Sequence, residues 1–308
     1  MTTTMERPPQ EDPPQEELAR QALGAPKRGV ASRIASKTGG GFVQVFLVLI
    51  AIFWTVPTIG LFVSSLLGAQ NSGSGWWTFL LEPAELSLDN YSSLLSNGDL
   101  VGSFVNTVLI TVPSTLLVVL IASLAAYAFA WMQFWGRDWI FLIVIGLLVV
   151  PVQVGLIPIA QLYGSIGIFG SIAGVVIFHV AFGLPFAIFL LRNFFAGIPR
   201  DLLEAARMDG ASEWTIFRRV VLPLGLPAIA SLAIFQFLWV WNDFLIALVF
   251  ASRDVQPLTV FLQSQTRQFG ESIDVLAPGA FLSLIVPLIV FFAFQRYFVQ
   301  GTLAGSVK

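Results

Sequence analysis

The 308-residue sequence has no cysteine and a single histidine, His179. The first absence excludes disulfides, thiolate metal sites and a cysteine nucleophile. The second leaves no histidine cluster for metal or acid–base work. Charge is scarce as well. Sixteen Lys and Arg and eighteen Asp and Glu make up 11% of the chain, against about 25% in a typical soluble domain. A net charge of −2 gives no electrostatic footprint for nucleic acid. What is plentiful is apolar: 56% of residues are hydrophobic and the mean hydropathy is +0.82. There are too few polar side chains to cover a soluble protein of this size and too many apolar ones for a chain disordered throughout. The class that remains is an all-α polytopic membrane protein.

The gaps between charges locate the spans. A helix crosses lipid with about 20 mainly apolar residues, because each backbone N–H must be bonded within the segment. Thr38–Leu81, Leu100–Gly136, Trp139–Leu191, Val220–Asn242 and Val275–Gln295 are free of Asp, Glu, Lys and Arg. The first predicts a span near Phe42–Leu67 and the second one near Phe104–Trp131. The third is too long for one helix, and Tyr163-Gly164-Ser165 with Gly167 and Gly170 divide it into Ile140–Leu162 and Ser171–Phe194. The fourth is expected to extend through Asp243 to about Phe250, and the fifth to run from about Ala280 to Tyr297. Six membrane helices result.

Fourteen of the sixteen basic residues fall in the N-terminal segment, the second and fourth connections, and the C-terminal end; only Arg253 and Arg267 lie on the other side. Basic residues stay in the cytoplasm, so both termini are expected there. Trp76, Trp77, Trp131, Trp135 and Trp139 sit near span ends, as interfacial aromatics do. Residues 1–40 read as a disordered cytoplasmic tail, with Pro8, Pro9, Pro13 and Pro14 interleaved with acids. This tail lacks the order of a secretory signal and is either inert or regulatory. Residues 41–308 are the transmembrane domain.

One long loop, 192–223, lies on the cytoplasmic side. Pro199 suits a first helical turn, and Asp201 and Glu204 fall near its positive end. Leu202, Leu203, Ala205, Ala206 and Met208 make a short apolar helix, and Asp209-Gly210 is a turn pair. Ser212 can cap a second helix from Glu213 to about Val221, which Pro223 ends. By itself this is a compact knob, or an amphipathic hairpin resting on the bilayer.

Glu204-Ala205-Ala206, three residues, Gly210, nine residues and Val220-Val221-Leu222-Pro223 resemble the EAA loop of ATP-binding-cassette importer permeases. Ser123-Leu124-Ala125-Ala126-Tyr127-Ala128-Phe129-Ala130, Asn193-Phe194-Phe195 and Trp241-Asn242-Asp243-Phe244-Leu245 resemble the sugar-transporting branch. The ending Gln295-Arg296-Tyr297-Phe298-Val299-Gln300-Gly301 through Lys308 resembles the smaller permease of maltose- and trehalose-type importers. The resemblance covers about residues 40–308. Two departures are small: Trp131 stands where a basic residue is frequent, and no further glycine follows Lys308.

The resemblance implies a type I importer permease fold and a non-enzymatic transport subunit in a bacterial or archaeal plasma membrane. Its implied partners are a second permease, a dimer of cytoplasmic ATPase subunits and an extracytoplasmic solute-binding protein. The implied cargo is a di- or oligosaccharide such as trehalose or maltose. Lacking a G-x-x-x-x-G-K-[ST] loop, the chain carries no cofactor of its own; ATP and Mg belong to the ATPase partners. The same resemblance implies that Leu202–Met208 docks in a groove on the ATPase, that Glu204 pairs with a basic residue there, and that Asp209-Gly210 forms the elbow. Gln300, Gly301, Gly305 and Lys308 belong to a tail that either reaches the ATPase interface or frays. Between spans five and six, the loop Ser252–Ala277 with Gln256, Gln263 and Gln265 either enters the sugar cleft of the binding protein or touches its rim.

Polar groups inside spans face protein or water, which makes Gln153, His179, Gln236, Asn242 and Asp243 candidates for the path, with Trp239 as an aromatic face for sugar. His179 can equally join two helices, and Asp243 can equally meet the second permease. An ion-coupled secondary transporter would want buried carboxylates deep in the spans, and a membrane enzyme would want clustered His, Asp or Cys. The remaining rival is an importer permease for a non-sugar solute such as an amino acid, a peptide or a phosphate ester.

Overall fold

A computed structural model of the chain describes residues 30–68, 75–80, 86–269 and 273–304. It divides into Met1–Thr58 and Ile59–Lys308, and helix α1 (Val30–Leu66) runs through the boundary. The described residues of the first unit are all helical, and Phe53 and Trp54 are each 73% exposed. A helix this apolar with bare side chains is suited to lipid. It begins at Val30, so residues 30–40 of the expected tail are helical. Once an apolar span supplies the nucleus, each added residue costs little. The expected disorder of residues 1–29 lies outside the described residues.

In the second unit, α2 (Asp89–Leu95) and α3 (Gly98–Trp131) come first. The Asn97 side chain caps α3 by accepting from Asp99 and Leu100 N–H, several residues before the expected start. Then follow α4 (Arg137–Leu147), α5 (Val152–Ile166) and α6 (Ile172–Ala196). The helices α7 (Arg200–Met208) and α8 (Glu213–Ile216) form the 192–223 loop, and a π turn at Phe217–Val221 leads into α9 (Leu222–Trp241). Last come α10 (Leu245–Phe250), α11 (Leu258–Phe269) and α12 (Ile273–Ala304).

Among the described residues five helices are long and apolar enough to cross a membrane, and α4 with α5 make a sixth crossing broken by a 102° bend. The expectation of a continuous third span is corrected here. Val150 precedes Pro151, which disfavours α conformation at Val150 and lacks an N–H of its own. The chain closes α4 with three-residue turns, from Leu148 to Ile145, Val149 to Gly146 and Val150 to Leu147. Of the residues expected to divide the run, Gly167 and Gly170 form the break and Tyr163-Gly164-Ser165 do not. The helix continues to Ile166 and stops at Gly167 (φ 77°), with Gly170 (φ 78°) completing the turn.

Two further boundaries differ. Pro223 does not end the second loop helix, because the π turn lets Leu222 N–H reach Phe217 O. That wider turn relieves the clash Pro would make with the carbonyl four residues earlier, so Glu213–Trp241 is one span. The fifth span stops at Trp241 rather than near Phe250. Asp243 turns its carboxylate onto Ile246 and Ala247 N–H (3.2 and 2.9 Å) and starts α10 instead.

Packing is closest between α3 and α6, where Ala122, Ala126 and Ala187 are wholly buried. Lipid tails are as apolar as leucine, so small residues that let backbones approach are what hold membrane helices together. The same cluster reaches through Leu191 and Phe195 to Leu203, Ile216 and Val221, seating the 192–223 loop on the ends of α3 and α6.

Candidate functional site

Helix α7 ends in a Schellman motif. Gly210 N–H bonds Arg207 O and Ala211 N–H bonds Ala206 O, both at 3.0 Å. The motif requires φ of 78° at Gly210, and no heavy atom lies within 4 Å of a Cβ built there. The glycine is therefore needed for its backbone conformation and not for space. Ser212 caps α8 by accepting from Thr215 N–H. Leu203 is buried, whereas Leu202, Glu204, Ala205, Asp209 and Gly210 are exposed and Ala206 is half-buried. Met208 is 84% exposed and Trp214 61%. One face of the loop is thus anchored, and the other presents bare apolar side chains. Glu204 pairs with Arg200 one turn earlier at 2.8 Å, on the surface.

Behind that face runs a polar chain. Arg207 Nε donates to Glu213 Oε1 at 3.0 Å and its Nη2 to Trp131 O at 3.4 Å. Tyr127 donates its hydroxyl hydrogen to Glu213 Oε2, and Trp131 Nε1 donates to Phe195 O at 3.0 Å. The Glu213 carboxylate pushes the Arg207 guanidinium further up, so it stays charged at any working pH. Arg207 and Glu213 thus tie the loop to α3, and Trp131 ties α3 in turn to the end of α6. Sequence reasoning gave Tyr127, Arg207 and Glu213 no part in the site and read Trp131 only as an interfacial aromatic. The signal was there, because Tyr127 and Glu213 lie in segments already singled out by motif or cap.

The six path candidates separate. His179 is fully buried; its Nδ1 donates to Val175 O at 2.9 Å, since a carbonyl can only accept. Its Nε2 faces Asp243 Oδ2 at 3.5 Å, and its ring meets Trp239 edge-on at 5.3 Å. Gln236 is also buried, next to Gly183 of α6. His179 of α6 and Gln236 and Trp239 of α9 therefore lie where these two helices face each other, with Asp243 just past the end of α9. Asn242 bonds back to Leu238 O within its own chain end. Gln153 is exposed near the start of α5.

Segment 252–277 is not an open loop. Its helix α11 buries Leu258 and Phe261 against Leu94 and Leu100. Thr107 Oγ1 accepts from Leu258 N–H at 2.8 Å, and Asn106 donates to Asp254 O and Gln256 O. Gln263 is exposed; Gln256 and Gln265 are half-buried. Gln300 and Gly301 lie in the last turns of α12, and Gly305 and Lys308 are outside the described residues.

Comparison with known proteins bears on the whole chain. Residues 94–303 match the family described as binding-protein-dependent transport system inner membrane component. The osmoprotective compounds uptake permease protein GgtD of Synechocystis sp. is 47% identical over 272 residues, covering 86% of this chain and 91% of that protein. The alpha-glucoside transport system permease protein AglG of Rhizobium meliloti is 50% identical over 233 residues, covering 73% of this chain and 61% of that one. The trehalose transport system permease protein SugB of Mycobacterium tuberculosis is 34% identical, covering 74% of this chain and 84% of that one. In fold, the chain is similar to a chain of a bacterial ABC transporter involved in the import of alginate, with a TM-score of 0.76 at 24% identity, covering 89% of this chain and all of that one. The protein therefore belongs to the binding-protein-dependent transport system inner membrane components, as a multi-pass, non-enzymatic permease of an ATP-binding-cassette importer.

Proposed function

We propose that the chain forms half of the transmembrane pathway of a sugar importer in the plasma membrane, with both termini cytoplasmic. A second permease completes the pathway. Two ATPase subunits, which bind ATP and Mg, dock on the loop, and a solute-binding protein delivers cargo at the opposite face. The observation that carries this reading is the bare apolar face of α7 and α8, with Met208 84% exposed, on a loop hydrogen-bonded to α3 and packed against α6. An apolar face on a rigid mount suits a motor subunit, because motion there passes to the spans instead of being absorbed locally. Leu202, Ala205 and Met208 fill the ATPase groove, and Glu204 exchanges Arg200 for a basic partner. The C-terminal segment from Gln300 to Lys308 adds a second ATPase contact, and exposed Gln263 touches the rim of the binding protein.

The cargo is a di- or oligosaccharide of the size of trehalose or maltose. Relatives described as alpha-glucoside and trehalose permeases support that class, and the osmoprotective compounds of another relative put small compatible solutes on the same panel. The deciding experiment is reconstitution of the importer with its ATPase and binding protein in liposomes. Uptake of at least one saccharide, dependent on ATP and binding protein, is expected. Uptake of peptides or phosphate esters alone would overturn the sugar reading.

A further inference from the structure

A cavity of about 450 Å³ opens between the α4–α5 break, α6 and α9. We propose that it is a saccharide subsite within this chain, with Trp239 as the stacking face and Gln236 as the hydroxyl partner. The inference rests on the sugar-permease reading and adds to it the place where this subunit touches cargo.

Three observations converge. Gln236 is only 4% exposed, yet its Nε2 has no hydrogen-bond partner. Buried amide donors are nearly always paired, and Gln236 lines the cavity, so a small turn of its amide toward the cavity gives this donor a partner in whatever fills it. Its position is specific: a Cβ at Gly183, the twelfth of the 25 residues of α6, would come within 2.9 Å of both its Nε2 and its Oε1. Glycine at mid-helix is what lets the amide lie there. Next, the bend of 102° places non-helical backbone from Leu148 to Pro151 along one wall, and Pro151 gives α5 no side-chain cap. Backbone of that kind is tolerated at membrane depth only where it is covered by protein or lines a wet cavity. Third, Trp239 keeps 37% of its surface open while His179 holds its ring edge-on.

The rest of the wall is apolar, including Phe182, Phe186 and Phe235. That mixture suits a pyranoside ring, which offers C–H faces to aromatics and hydroxyls to an amide. One amide and one indole also hold cargo loosely, and a path must let its cargo leave. The volume falls within the usual range for small-molecule sites.

The absence of cysteine makes the test direct. In the reconstituted importer, Phe186→Cys is treated with a charged methanethiosulfonate. The thiol is expected to react, and to react several-fold more slowly in the presence of the saccharide the importer carries. Reaction without protection overturns the subsite. Failure of the charged reagent, with a membrane-permeant maleimide still reacting, assigns the cavity to lipid; failure of both assigns it to a helix of the second permease. Either outcome overturns the proposal. Separately, Trp239→Ala and Gln236→Leu are expected to lower uptake about three- to tenfold while stimulation of ATP turnover by the binding protein persists, and Trp239→Phe to recover part of the loss. Unchanged uptake in both loss variants overturns the proposal. If the wild-type importer carries no saccharide, the parent reading fails first, and the uptake assay alone shows it.

Discussion

Tyr127 of α3 and Glu213 of α8 share one hydrogen bond across 86 residues of sequence, and the same carboxylate holds Arg207 of α7. A single side chain thus joins both helices of the loop to a membrane span.

Cutting that link tests whether it transmits force. Tyr127→Phe removes the bond but keeps the ring packed 5.4 Å from Phe217. Sugar transported per ATP hydrolysed is expected to fall about two- to fivefold, as loss of roughly 0.5–1 kcal/mol of coupling implies, with ATP turnover retained. Uptake and phosphate release measured on the same liposomes check it; an unchanged ratio would show that the bond only supports the fold.

Gly210 should grade by backbone preference. Gly210→Ala at φ 78° costs about 1–2 kcal/mol. Asn, which visits that region more easily, costs less. Gly210→Pro cannot adopt the angle and loses the N–H to Arg207 O. Co-purification with the ATPase is expected to decline from wild type through Asn and Ala to Pro.

The exposed face predicts the reverse pattern, loss of partner without loss of fold. Met208→Lys and Glu204→Lys alter surface positions, so the thermal stability of the isolated permease should move by no more than about 0.5 kcal/mol. Binding to the ATPase should drop at least tenfold, read by pull-down. Normal assembly with both variants would refute docking at α7.

At the opposite end, Thr107→Val keeps shape but strands the buried N–H of Leu258, at about 1–3 kcal/mol. Limited proteolysis of segment 252–269 should accelerate in this variant and stay near wild type in Thr107→Ser.

The spans were legible because lipid forces one pattern, long runs without charge, and the Glu204–Gly210 motif was legible because a left-handed turn demands glycine. The 102° break was not. Leu147 to Val152 is uninterrupted apolar sequence apart from Pro151, and proline inside a span usually bends it gently or not at all. Pro113 and Pro185 sit within unbroken helices here. Whether Pro151 breaks the span depends on what occupies the space beside it, which hydropathy does not report. The same holds for Asp243. As a charge it read as a path residue or a partner for the second permease; that its carboxylate also caps α10 is not something the sequence pattern reports. The segments holding Tyr127 and Glu213 stood out in the sequence, but their pairing across 86 residues is a tertiary contact that no local pattern reports.

The π turn at Phe217–Val221 leaves no gap between loop and span. From Glu213 to Trp241 the chain is one helix of 29 residues, about 43 Å long at 1.5 Å per residue. With the ATPase docked on the loop as proposed above, such a rod would act as a lever driven from its loop end. A tilt of about 10° at the loop would swing its far end by about 7 Å, and Trp239 rides on that end. A small rotation by the motor would then be enough to pull the indole away from whatever rests against it.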